Sequence, residues 1–127
     1  MSTYQIAQGY NNQAALQDVD PQPASPGLKY PRMIYAVSGL AYFDGVPYTE
    51  WVYADVLSES AYASLLSQFG LSTSIGSAKV TVRTMVDPAR ATWSVYNAII
   101  SQNLEAEYKR GFWRNVVFRL RLYEALS

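Results

Sequence analysis

Apolar and polar positions alternate most regularly between residues 79 and 100. Val80, Val82, Thr84 and Val86 fall on one side of an extended chain, and Lys79, Thr81, Arg83 and Met85 on the other. Asp87-Pro88-Ala89-Arg90 follows as turn chemistry, with Asp at the first corner and Pro fixing φ at the second. Trp93, Val95, Asn97 and Ile99 then alternate with Ser94, Tyr96, Ala98 and Ile100 on a return strand. The period changes from 2 to 3.6 over residues 58–69. There Tyr62, Leu65, Leu66 and Phe69 make one apolar stripe of a helix. Ser58 is placed to cap its free amides, Glu59 suits its positive end, and Gly70 supplies a left-handed stop with Leu71 packing back. So short a helix needs a sheet beneath it, and the Val80-Val82-Thr84-Val86 face is the natural floor.

Upstream, residues 33–43 read as a strand rich in Tyr, Val, Ile and Leu, with Gly39 marking a bulge or bend. Asp44-Gly45 predicts a tight turn, and residues 48–56 the returning strand, Pro47 being tolerated at its start. Both faces of this first hairpin are apolar, through Tyr35, Val37, Ala41 and Phe43 on one strand and Trp51 and Tyr53 on the other. Either the sheet folds over itself as a sandwich or another subunit covers the patch. Residues 71–77 read as a Ser/Thr/Gly loop, 101–112 as a polar connection with room for a helical turn, and 113–122 as the last strand. Val116, Phe118, Leu120 and Leu122 form that strand's apolar face. The expected class is therefore α+β and β-rich: a five-stranded antiparallel sheet or small sandwich, ordered β-β-α-β-β-β, with one helix.

Residues 1–31 differ from the domain at 32–127. They are rich in Gln, Asn, Ala and Pro, and Pro21, Pro23 and Pro26 block helix and sheet ladders. Tyr4, Ile6, Tyr10, Leu16 and Leu28 are spaced through the segment. It reads either as a loose tail or as an extended arm that orders on a neighbouring subunit. With Tyr35, Phe43, Trp51 and Tyr53, those five residues are the expected subunit interface. Lys79, Arg83, Arg119 and Arg121 would form a basic strip if their strands were neighbours, or else an ordinary solvated face.

Composition narrows the chemistry. The chain has 127 residues, half of them apolar, and its ten Lys and Arg balance ten Asp and Glu. That balance gives no electrostatic basis for nucleic acid as the main partner and little repulsion against self-association. There is no Cys and no His, which excludes serine–histidine and cysteine–histidine catalysis within one chain and removes the usual transition-metal ligands. Asp44, Glu50, Asp55 and Asp87 occupy no recognised ligand spacing, and Asp44 and Asp87 are accounted for as turn residues. Gly70-Leu71-Ser72-Thr73-Ser74-Ile75-Gly76 lacks the Lys-Ser/Thr ending of a phosphate loop and precedes a strand. No catalytic residue, cofactor, metal, small-molecule substrate or membrane partner is expected. No apolar run reaches membrane-spanning length, and the N-terminus lacks the basic flank and apolar core of a signal peptide.

Asp44-Gly45 with Trp51, Phe69-Gly70-Leu71, Val80-Thr81-Val82-Arg83-Thr84, Trp93 with Tyr96-Asn97-Ala98, and Phe118-Arg119-Leu120-Arg121-Leu122 together resemble small structural proteins of tailed bacteriophages, over residues 33–126. The resemblance implies a non-enzymatic virion component, made in the host cytoplasm, whose partners are copies of itself and other virion proteins. A tail or tail-tip position is the first expectation and a capsid cement protein the alternative. A small-ligand or carbohydrate-binding module using Trp51, Tyr53 or Trp93 is the reading from another class.

Overall fold

The alternating strands build most of one large sheet. A computed structural model describes residues 3–72, 74–102 and 106–126. In chain order the elements are β1 (Gln5–Gln8), a 3-10 turn at Gln13–Ala15, β2 (Gln17–Asp18), β3 (Arg32–Tyr35), β4 (Ala41–Asp44), β5 (Tyr48–Tyr53) and β6 (Leu57–Ser58). Then come α1 (Glu59–Phe69), β7 (Ser77–Asp87), a 3-10 turn at Pro88–Arg90, β8 (Thr92–Gln102), β9 (Glu107–Lys109), β10 (Phe112–Arg114) and β11 (Val116–Leu126). The main sheet is antiparallel with order β2-β1-β7-β8-β11-β5. Smaller sheets are β6-β10-β9 and the pair β3-β4. The class is α+β and β-rich, as the periodicity predicts. The large sheet has six strands where five were expected.

The sheet rolls until its two sides meet. Trp51 on β5 donates its indole N–H to Thr84 Oγ1 on β7 at 3.0 Å, although β8 and β11 separate those strands in the ladder. The seam is closed by residues 24–29, the end of the stretch that holds Pro21, Pro23 and Pro26. Ala24 pairs reciprocally with Val52, and Lys29 with Tyr48, at 2.7–2.9 Å, while the Leu28 amide donates to Val86 O at 3.0 Å. Prolines suit this path because the seam strand needs only a few ladder donors. Of the two ways to cover the apolar face of β5, folding of the sheet over itself is the one observed. The helix plugs the roll: Phe69 meets Phe118 at 4.8 Å and Trp51 at 5.7 Å between ring centres. Its ends form as expected. Ser58 Oγ accepts from the Ala61 amide, Gly70 has φ 75°, and Leu71 N donates to Leu66 O.

The N-terminal segment departs most from its expected form. It belongs to its own domain. β1 pairs with β7, Ile6 opposite Val82, and Tyr4, Ile6 and Val19 are buried in the common core. The sequence obscures this because the strand has four residues and is followed by Gly9-Tyr10-Asn11-Asn12, so no long periodic run advertises it. Residues 9–12 are latched across β7 and β8 by two buried polar side chains. Asn97 exchanges hydrogen bonds with Asn11 (2.9 and 3.0 Å). Thr81 Oγ1 donates to Gly9 O at 2.8 Å and accepts from Asn12 N at 3.0 Å. Asn11 sits at φ 55°, a conformation Asn tolerates. Asn97→Ala leaves the Asn11 amide without its acceptor. We expect a loss of about 1–3 kcal/mol in urea unfolding, with hydrogen exchange faster at residues 9–12 than elsewhere in the sheet.

Three further boundaries differ. The stretch at 33–43 is a hairpin in itself, β3 and β4, turning at 36–40 where Gly39 has φ 89°. The strand expected at 113–122 breaks at Asn115 (φ 56°) into β10 and β11, and β11 runs on to Leu126 through an irregularity between Leu122 and Glu124. The polar connection forms the β9–β10 hairpin. Its Arg110-Gly111 turn has positive φ at both residues, which matches the strand twist. The helical turn expected there falls in part on residues 103–105, outside the described residues.

Candidate interaction surface

The Asp44-Gly45 turn does not join two paired strands. Gly45 (φ 91°) is the hinge at which β4 leaves its two-stranded sheet and the chain enters β5 of the main sheet. A Cβ on Gly45 would lie 2.5 Å from Pro31 Cγ, so only glycine lets the hairpin's two ends approach this closely. β3 and β4 pair with each other alone: Met33 opposite Phe43, Ile34 opposite Tyr42, Tyr35 opposite Ala41. One face carries Met33, Tyr35, Ala41 and Phe43. The other carries Ile34 and Tyr42 beside the Arg32–Asp44 ion pair. Val37 and Leu40 stand bare at the tip.

Every large apolar side chain of the hairpin is exposed. Tyr35, Tyr42 and Phe43 are 74%, 52% and 65% exposed, which for side chains of this size leaves roughly 300–450 Å² of ring surface in water. The area is divided between the two faces, with Tyr35 and Phe43 on one and Tyr42 on the other, and exposed apolar patches of a few hundred Å² are often functional. Both outer strand edges also offer unpaired backbone groups. Tyr30 stacks on Phe43 at 5.0 Å, so the base of the hairpin is stiffened by an aromatic pair.

The sequence-predicted interface is divided. Tyr35 and Phe43 lie on this surface. Tyr4 and Ile6 are core residues, and Trp51 and Tyr53 are buried beneath the rolled sheet, so these four are not surface groups. Leu16 and Leu28 are half-buried, and Leu28 packs on the core. Tyr10 is exposed elsewhere, under the Lys79 ammonium. Met33, Ile34, Leu40 and Tyr42 were not singled out from the sequence. Their signal was present: residues 33–43 have no polar alternation, and Ser38-Gly39 is a turn dipeptide.

The basic strip forms only in part. Lys79, Ile99 and Arg121 make one cross-strand row, and Arg119 lies in the next row beside Ser101. Arg83 is apart. Its guanidinium lies 4.9 Å over Trp93 and donates to Thr3 O at 3.0 Å. Asp44 pairs with Arg32, and Asp87 Oδ1 caps Ala89. Among the described residues no three Asp or Glu side chains converge as a metal site would require.

The residues of the ligand-binding reading are engaged internally. Trp51 is fully buried, and the Tyr53 hydroxyl donates to Pro21 O at 2.7 Å. Burial first, and the nearby Asp20 charge second, push the Tyr53 hydroxyl well above the usual tyrosine range, so it stays a neutral donor. Trp93 is half-buried between Tyr4, at 4.7 Å, and Arg83. Among the described residues no helix is long and apolar enough to cross a membrane. No family model, curated protein or solved structure matches the chain.

Proposed function

We propose that this chain is a non-enzymatic structural protein that assembles with copies of itself through the β3–β4 hairpin. The observation that carries the reading is a two-stranded hairpin that pairs with no strand of the main sheet and exposes large apolar side chains on both faces. Two strands alone are marginal in water, so such an element gains its stability from what it docks on. The resemblance to tailed-phage structural proteins supplies the setting: a tail or tail-tip of a phage particle, with a capsid cement role as the alternative. In either place the contact surface is the hairpin, and residues 1–31 serve their own domain.

Replacing residues 32–44 by a short Gly-Ser turn tests this. Light scattering coupled to size exclusion is expected to show the intact chain growing in mass with concentration. The shortened chain is expected to stay monomeric, with an unchanged far-ultraviolet spectrum and cooperative melting. An intact chain that is monomeric at every concentration, or a shortened one that still associates, refutes the proposal.

A further inference from the structure

The two ends of β5 carry complementary surfaces. At its start, the hairpin base borders a cleft of about 270 Å³ lined by Pro31, Val46, Tyr48, Arg119, Arg121 and Tyr123. Arg119 has Glu50 as its cross-strand neighbour, yet its guanidinium lies 4.1 Å over the Tyr48 ring. Among the described residues the ion pairs are Arg32–Asp44 and Arg90–Asp87, so Arg119 and Arg121 have no carboxylate partner among those residues. A guanidinium over an aromatic ring keeps N–H donors free for a carboxylate. This end is apolar at the hairpin and cationic at its base.

The far end of β5 lies roughly 17–20 Å away along the strand. A second cleft of about 270 Å³ opens there, lined by Pro21, Pro23, Val52, Tyr53, Asp55 and Leu57 among others. Asp55 is on its rim, and Asp20 is close enough to act on the Tyr53 hydroxyl. Both carboxylates are exposed and belong to neither ion pair. This end is apolar at the prolines and anionic at its margin.

We infer that copies dock head to tail: the hairpin of one lies across the Pro21–Pro23–Leu57 cleft of the next and fills it with exposed apolar side chains, with Arg119 and Arg121 set against the partner copy's acidic rim. This rests on the self-assembly proposed above and names the occupant of the hairpin surface. Charge complementarity favours this pairing over hairpin against hairpin, which would bring like guanidinium pairs together. The hairpin's apolar area also accounts for a large part of the about 800 Å² per partner in a standard interface. A head-to-tail contact is heterologous. It closes into a ring or continues as a filament, and does not stop at a dimer.

Charge reversal distinguishes the arrangements. Arg119→Glu with Arg121→Glu is expected to weaken association by roughly a hundredfold or more, and so is Asp20→Arg with Asp55→Arg. All four changes in one chain restore it, because the contact is re-formed with opposite sign. Circular dichroism and thermal melting of each variant verify that it is folded, since all four positions are exposed. If the aspartate pair can be reversed without effect, the acidic rim is not the surface that receives the hairpin and the inference is overturned. It is also overturned if the wild type assembles and the fourfold variant does not recover. Those outcomes leave self-assembly standing, whereas a monomeric wild type removes both.

Discussion

A chain beginning at residue 32 is expected not to fold. Deleting residues 1–31 removes β1 from the edge of β7, takes the buried Tyr4, Ile6 and Val19 out of the core, and opens the seam that residues 24–29 close between β5 and β7. Burying one large aliphatic or aromatic side chain contributes about 1.5–3 kcal/mol. Three such losses approach the whole stability of a typical domain, about 5–15 kcal/mol. Thr49, fully buried, also loses Gly27 O and Ser25 Oγ, its hydrogen-bond partners at 2.9 and 2.7 Å. The measurements are near-ultraviolet circular dichroism and the melting transition. We expect no fixed aromatic signal and no cooperative melt, in contrast to the hairpin-shortened chain, which keeps both. A cooperative melt with the intact aromatic signal would show the segment to be a detachable arm after all. The sequence alone predicts that arm behaviour, a folded remainder unable to assemble. The two deletions therefore have opposite expected outcomes from those the composition suggests.

Trp51→Ala is the largest single-residue effect we expect. The side chain is fully buried and spans the roll, with Tyr4 and Phe69 each 5.7 Å from it and its indole N–H on Thr84. Truncation leaves a cavity between strands that are not ladder neighbours, so closing it requires the whole sheet to re-curl. The cost should be about 3–5 kcal/mol, which for a domain of this size lowers the melting temperature by on the order of 10–20 °C. Trp51→Phe keeps most of the ring and loses the hydrogen bond, and about 1–2 kcal/mol is expected. Urea midpoints measure both. A Trp51→Ala loss under about 1 kcal/mol would mean that β5 and β7 are not held together by this contact.

What the sequence made legible was local and periodic. The helix from Glu59 to Phe69, with its Ser58 cap and Gly70 stop, could be read because each signal lies within a few residues of the next. The β7–β8 hairpin could be read because the two strands are long and joined by turn chemistry at Asp87-Pro88. The roll could not, because it depends on pairs far apart in sequence: Trp51 with Thr84, Ala24 with Val52, Asn11 with Asn97. Asp44-Gly45 misled for a related reason. A turn dipeptide reports a change of direction and not which strands pair across it. Of the candidate surface, Tyr35 and Phe43 were identified while Trp51 and Tyr53 were misplaced. The misplacement came from treating residues 33–43 and 48–56 as partners in one ladder.

The seam also orders events in time. Ile6 must find Val82, and Asn11 must find Asn97, so β1 waits during synthesis for some eighty further residues. At translation rates of 5–20 residues per second, some eighty residues take roughly 4–16 s. For that interval β1 can pair only with the two-residue β2 and lacks β7, and the hairpin at 32–44 emerges and stands bare before β7 is complete. On a messenger carrying several ribosomes, neighbouring nascent chains would present such hairpins side by side before any of them had closed its roll. Association during synthesis is then in competition with completion of the fold, and the short, Gln- and Asn-rich β1 region is a segment with little apolar surface to offer while it waits.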